Sequence, residues 1–165
     1  MQRPVECVCD MKNENEKMAG TRDERIMPMG EARRKLAAVE QRREAMMVRM
    51  KALMEEFRET FSEPTVTLVI HRQEPGANLR WRRRAPVASL QTFLTLTAES
   101  GSGYVQSLPP KARRKIFDFD RRAADLNLRY NTLAYERKRL KSYMAHVTAL
   151  DELAQALESK SHATG

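Results

Sequence analysis

The chain has 165 residues, with 30 Lys or Arg against 22 Asp or Glu and a formal net charge of +8. Its 41% hydrophobic content is enough for one core, and 6 Gly with 7 Pro exclude a collagen-like or linker-like chain. No run approaches the roughly 18 apolar residues of a membrane span, and the first residues lack the apolar centre of a secretory signal. A cytoplasmic protein with no membrane partner is expected.

Residues 1–29 hold five basic and six acidic residues without sustained apolar periodicity, and Pro28 with Gly30 punctuates their end. They read as a flexible leader, within which Met27 or Met29 is a candidate alternative translation start. Both cysteines, Cys7 and Cys9, stand here in one C-x-C. With no further Cys and with His71, His146 and His162 far away, neither a disulfide framework nor a four-ligand zinc site can be assembled. No metal and no cofactor is expected.

Glu31 to Phe61 contains no Pro or Gly and is rich in Ala, Arg, Glu and Met. Leu36, Val39, Met46, Met50, Leu53, Phe57 and Phe61 recur mostly at steps of three and four, with Arg43 filling a gap, which is the seam of an amphipathic helix. Ser62-Glu63-Pro64 ends it. The period then changes to two. Val66 to Arg72 and Leu79 to Arg84 read as strands around a turn at Gln73 to Asn78. A four-residue loop over Glu74 to Ala77 pairs Ile70 with Trp81 and His71 with Arg80. One face then carries Leu68, Ile70, Leu79 and Trp81, and the other Thr67, Val69, His71, Arg80, Arg82 and Arg84. Ser89 to Thr97, with Leu90, Leu94 and Leu96 on one side, is a candidate third strand. Glu99 to Gly103 reads as a flexible connection, and Tyr104 to Leu108 as a short fourth strand.

Pro109-Pro110 suits a helix start, where the first amides need no internal partner. Ile116, Phe119, Ala123, Leu126, Tyr130, Leu133, Arg137, Leu140, Met144 and Val147 then alternate steps of three and four, and Leu150, Leu153 and Leu157 extend the helix to a polar tail at 159–165. The expected fold class is α+β and mostly helical. Two long antiparallel helices form a coiled-coil-like hairpin with an inserted antiparallel β-meander of two to four strands. Residues 30–158 make one domain. Arg43 and Arg137, one in each seam, are expected to sit at its edge and reach water.

The basic excess is local. Residues 111–141 hold 11 Lys or Arg and 4 Asp or Glu, and residues 65–108 hold 5 and 2. Lys115, Arg122 and Arg129 recur every seven residues as a ridge, although Asp118 and Asp125 stand four residues before the two arginines and can neutralise them. Lys111, Arg113, Arg114 and Lys115 open the helix without such partners, where a positive helix end favours a nearby anion. Arg80, Arg82 and Arg84 project from one strand face, a geometry suited to phosphates. Trp81 alternates to the opposite face and belongs to the core. Asp118 and Asp120 resemble a nuclease pair in spacing but diverge on a helix, and Gly101-Ser102-Gly103 lacks the third glycine and the setting of a phosphate loop. No catalytic residues are assigned, and no enzyme is expected.

Thr67-Leu68-Val69-Ile70-His71-Arg72-Gln73, Leu79-Arg80-Trp81-Arg82, Leu108-Pro109-Pro110 and Leu126-Asn127-Leu128 follow in an order similar to that of a small family of proteins encoded in integrating conjugative elements and related plasmids. The resemblance spans about Ala32 to Leu157. It implies a bacterial mobile-element accessory protein concerned with DNA maintenance or transfer, and it assigns no residue a role. Charge and resemblance together lead to a non-enzymatic nucleic-acid-associated protein, with DNA favoured over RNA. Its expected binding residues are Arg80, Arg82, Arg84, Lys111, Arg113, Arg114, Lys115, Arg122 and Arg129. The alternative is a coiled-coil interaction or scaffold module, with a homodimer or another helical protein as partner.

Overall fold

The structure, a computed structural model, describes residues 26–85 and 92–162. The expected leader up to residue 25 and Leu90 of the expected third strand lie outside the described residues. The elements are α1 (Met29–Thr60), β1 (Val66–Gln73), β2 (Gly76–Arg83), β3 (Phe93–Leu94), α2 (Glu99–Ser107) and α3 (Pro110–His162). The molecule is mostly helical with a small antiparallel sheet in the order β1-β2-β3. Among the described residues, no helix is long and apolar enough to cross a membrane.

α1 runs for 32 residues and closes where the Phe61 amide still donates to the Phe57 carbonyl. The chain leaves the helix at Phe61, whose backbone is extended, and Glu63 then takes a left-handed backbone (φ 51°) before Pro64. α3 runs for 53 residues, about 80 Å at 1.5 Å per residue. It continues past Ser159, where the apolar periodicity ends. Contacts between the two helices run in opposite order, Glu56 to Arg122 and Glu40 to Arg137, and Tyr143 reaches Met27 just before α1, so the helices are antiparallel.

The sheet lies on this helix pair. Met50, Leu53 and Phe57 of α1, Leu68, Trp81 and Leu94 of the sheet, and Ile116, Phe119 and Ala123 of α3 share one buried core. Phe57 stands at its centre, with ring centroids 5.3 Å from both Trp81 and Phe119 in edge-on contacts. A smaller cluster of Val39, Leu133 and Leu140 continues between the helices. The two seam arginines have partners at the seam edge. Arg43 Nε donates to the Tyr130 hydroxyl at 3.0 Å, and Arg137 Nε donates to Glu40 at 3.0 Å.

Two expectations about the sheet are corrected. The hairpin pairs Leu68 with Trp81, Ile70 with Leu79 and Gln73 with Gly76, so the loop is Glu74-Pro75 alone and the register differs from the expected one by two residues. A shift of two preserves the faces: Leu68, Leu79 and Trp81 are buried, while Thr67, Val69, His71, Arg80 and Arg82 are half-buried on the other side. The cause lies in α3. Asn131 Nδ2 donates to the Ala77 carbonyl and to Asn78 Oδ1, and a Cβ on Gly76 would fall 1.8 Å from Asn131 Oδ1. Gly76 is therefore small because α3 passes against the strand.

Residues 99–107 form a helix, in place of the expected flexible connection and fourth strand. Gly101 is buried, and a Cβ there would stand 2.3 Å from the Thr95 carbonyl oxygen. The glycine permits a close backbone approach in this helix, and the Ala98 carbonyl accepts from the Gly101 and Ser102 amides. The third strand is likewise reduced to Phe93–Leu94, with Leu94 and Leu96 buried.

Candidate nucleic-acid interface

Alternation divides the hairpin into an apolar face and a polar one, and burial of Trp81 decides which looks outward. Its indole is 3% exposed and donates from Nε1 to Asp120 Oδ1 at 2.7 Å. Asp120 is thus a partner of the core indole, while Asp118 lies beside Arg122 on another side of α3.

With Trp81 turned in, Thr67, Val69, His71, Arg80 and Arg82 face away from the helices. β3 adds one more group to this surface, because Phe93 pairs directly with Arg82. The Phe93 ring is 37% exposed. The Arg80 guanidinium lies 4.2 Å from its centroid, and the His71 ring meets it edge-on at 5.0 Å. Arg84 follows β2 with an exposed side chain, its amide donating to the Thr65 carbonyl. None of the three strands contains Asp or Glu. Among the described residues, neither Arg82 nor Arg84 makes a side-chain ion pair. The surface therefore combines an exposed aromatic ring with unneutralised guanidinium groups.

The second basic group is elsewhere. Arg114 and Lys115 line a depression of about 370 Å³ together with Glu56, Thr60, Asp118 and Phe119, all from α1 and α3. No strand residue borders it, so Arg114 and Lys115 share this depression with α1 and not with Arg80, Arg82 and Arg84. Lys111 is exposed at the first turn of α3. Arg113 has a structural use: its guanidinium donates to the carbonyls of Val105, Gln106 and Leu108 at 3.0–3.2 Å, tying the end of α2 to the start of α3. These are carbonyls at and just beyond the end of α2, of which the Val105 carbonyl also accepts the Leu108 amide.

The ridge arginines are also engaged. Arg122 grips Glu56 with both terminal nitrogens, one at 2.6 Å, and lies 3.6 Å from Asp118. This pair holds the Glu56 carboxyl below its ordinary range and raises Arg122 further, hydrogen bonding being the main cause in both. Arg129 pairs with Asp125 at 2.9 Å. Arg80, Arg82, Arg84, Lys111, Arg114 and Lys115 remain as the more available cations of the expected set.

Phe93 and His71 share this outward face with Arg80, although the charge pattern did not single them out. Phe93 was legible only as the opposite-facing neighbour of Leu94. Asn127, which the sequence reading named only within Leu126-Asn127-Leu128 and without a role, pairs with β2: the Leu79 amide donates to its Oδ1 at 2.6 Å and its Nδ2 donates to the Leu79 carbonyl at 3.0 Å. That amide fixes β2, and hence Arg80, against α3. Among the described residues, no group of three or more His, Cys, Asp or Glu side chains is placed to hold a metal ion. No protein-family model, curated protein or solved structure matches the chain.

Proposed function

We propose that the protein binds single-stranded nucleic acid with little sequence preference through the outer face of its sheet. Arg80, Arg82 and Arg84 contact phosphates, and Phe93 provides a surface on which one base stacks. The observation that carries this reading is the exposed Phe93 ring under the Arg80 guanidinium on a face without acidic residues. A buried ring would serve only packing, and arginines without a ring would serve only backbone attraction. Together they form the stacking platform and cationic groove that single strands require. The role is non-enzymatic, and the likeness to conjugative-element proteins supports an accessory function in DNA maintenance or transfer within a coiled-coil-like helical hairpin scaffold.

Fluorescence anisotropy with unrelated single-stranded oligonucleotides over a range of salt tests the reading. Affinity is expected to fall with salt at roughly −0.7 log units per phosphate contact for a single strand. Phe93→Ala is expected to cost about 1–3 kcal/mol of binding. Replacing Arg80, Arg82 and Arg84 together by Ala weakens all sequences alike and flattens the salt slope by about 2 units. Each variant should keep the helical circular dichroism of the parent. Absent or salt-independent binding by the parent protein overturns the proposal and leaves the scaffold function in its place. Equal affinity of the Phe93→Ala variant would remove the stacking role.

A further inference from the structure

Three depressions run end to end between α1 and α3, with volumes of about 620, 470 and 370 Å³. The first two share Arg49 and the last two share Glu56, so they form one groove. It extends along α1 from Arg42 to Thr60, about 27 Å at 1.5 Å per residue. No strand residue lines it, and Asp120, Asn127 and Asn131, through which α3 meets the sheet, are absent from it; the groove lies on the side of the helix pair away from the sheet. Its lining repeats every seven residues. Met46 and Leu53 of α1 with Leu126 and Leu133 of α3 form an aliphatic floor, which the small side chains of Ala45 and Ala52 leave open. Exposed arginines at the same spacing stand on both walls, Arg42 and Arg49 on α1, Arg114 and Arg121 on α3. The acids of the groove are already held: Glu56 and Asp118 by Arg122, Asp125 by Arg129. Among the described residues, the four wall arginines make no side-chain hydrogen bond or ion pair.

We infer that this groove takes an acidic amphipathic helix of another protein, packed as a third helix against α1 and α3. The seven-residue repeat of the floor matches a helix with apolar residues at the a and d positions of its heptads, and the alanines let its backbone come close. Asp or Glu at its e and g positions would then meet Arg42 and Arg49 on one wall and Arg121 and Arg114 on the other. The charges complement each other because the groove's own acids are spent on Arg122 and Arg129, while the wall arginines are not. A groove of this length holds about 18 helical residues. Nucleic acid fits it less well: no aromatic ring borders the two larger depressions, so a base has nothing to stack on, and an aliphatic floor gains nothing from phosphates. The inference does not rest on the outer sheet face, which lies across the helix pair.

The probe is a fluorescein-labelled synthetic peptide of three heptads, with Leu at a and d and Glu at e and g; like charges at e and g keep it from pairing with itself. Anisotropy with the full chain should show saturable binding. The combined Arg42→Glu, Arg49→Glu and Arg121→Glu variant should bind it at least about tenfold more weakly, and should instead take the matching peptide with Lys at e and g, which the parent rejects. Oligonucleotide affinity should be the same for parent and variant, so the groove and the sheet face are tested separately. A parent that does not bind the acidic peptide overturns the inference, whether the groove is bare or filled by the chain's own first residues or a second copy. Equal binding of the two peptides overturns it too, and so does displacement of the acidic peptide by an oligonucleotide, which would make the groove a nucleic-acid surface. If the triple variant loses its helical circular dichroism, Arg49→Glu alone decides: about threefold weaker binding of the acidic peptide is expected, and unchanged affinity overturns the inference.

Discussion

The two faces of the β1–β2 hairpin come from the same eight-residue strands, yet they differ in everything except backbone. On the inner face Leu68, Leu79 and Trp81 are buried against both long helices, and the one polar atom they bring, the indole nitrogen, is paired with Asp120. On the outer face Val69, His71, Arg80 and Arg82 remain half-buried around an exposed Phe93. Alternation alone separates the two sets. Their properties depend on what lies across from them: two long helices on one side, and on the other a two-residue strand that presents a single ring. The inner face therefore bears on stability and the outer face on the binding proposed above, and substitutions can pull these apart.

The largest expected effect is on the inner face. Trp81→Ala should cost about 3–5 kcal/mol in urea unfolding, since it empties the space beside Phe57 and leaves Asp120 without its donor. Phe93→Ala, on the opposite side of the same sheet, should cost less, about 1 kcal/mol, because the ring is only partly covered by Arg80 and His71. Equal losses would erase the distinction between the faces. The same contrast recurs on α3. Leu133→Ala should cost about 2–5 kcal/mol because Leu133 is 5% exposed against Val39 and Leu140. Leu128→Ala, measured in dilute solution, should change the midpoint little.

A smaller loss is expected where the hairpin is joined to α3. Asn127→Ala removes a donor and an acceptor from Leu79 and should cost about 1–3 kcal/mol. It should also weaken oligonucleotide binding, because it loosens the strand that carries Arg80, and hydrogen exchange at the Leu79 amide would report the loosening directly.

The smallest effect concerns the rim between the helices. Arg137 and Lys141 hold the Glu40 carboxyl below its ordinary 4.5, mainly through the Arg137 hydrogen bond, and Arg122 does the same for Glu56. A depressed folded value means that these carboxylates favour the folded state above about pH 4.5, and that the contribution disappears as pH falls through the depressed values. Glu56→Gln should flatten the acid side of the stability profile without moving the neutral-pH midpoint by more than a small amount, since exposed pairs contribute little. Added salt should reduce the difference further.

These contrasts also show which parts of the fold local pattern could reveal. The long helices and their buried rows follow from periodicity, and the faces of the hairpin from alternation, because each signal repeats several times along the chain. The hairpin loop and α2 were not legible from composition, as both turn on a glycine whose use is tertiary. Gly76 reads as a turn residue, but it lies in the strand because Asn131 approaches it. Gly101 and Gly103 read as a linker, but Gly101, Tyr104, Val105 and Leu108 stand at steps of three, four and seven, the spacing of a helix face. At the candidate site, the outward arginines were visible in the alternation. The engagement of Arg113 with α2 carbonyls and the placement of Phe93 beside Arg80 depend on contacts between segments distant in sequence, which a charge count does not contain.

Asn127 has one further consequence. A strand edge with free amides and carbonyls is a template on which another chain can grow, and beyond the short β3 the edge of β2 at Leu79 would be such a template. The Asn127 side chain occupies it with a single amide, acting as a one-residue decoy strand held on a rigid helix. Strand-by-strand growth from that edge therefore requires α3 to lift first, and α3 is bound to α1 along the hydrophobic rows already described. Protection of the β2 edge is in this way set by helix packing, whereas the outer edge of β1 lies on the other side of the sheet and owes nothing to Asn127.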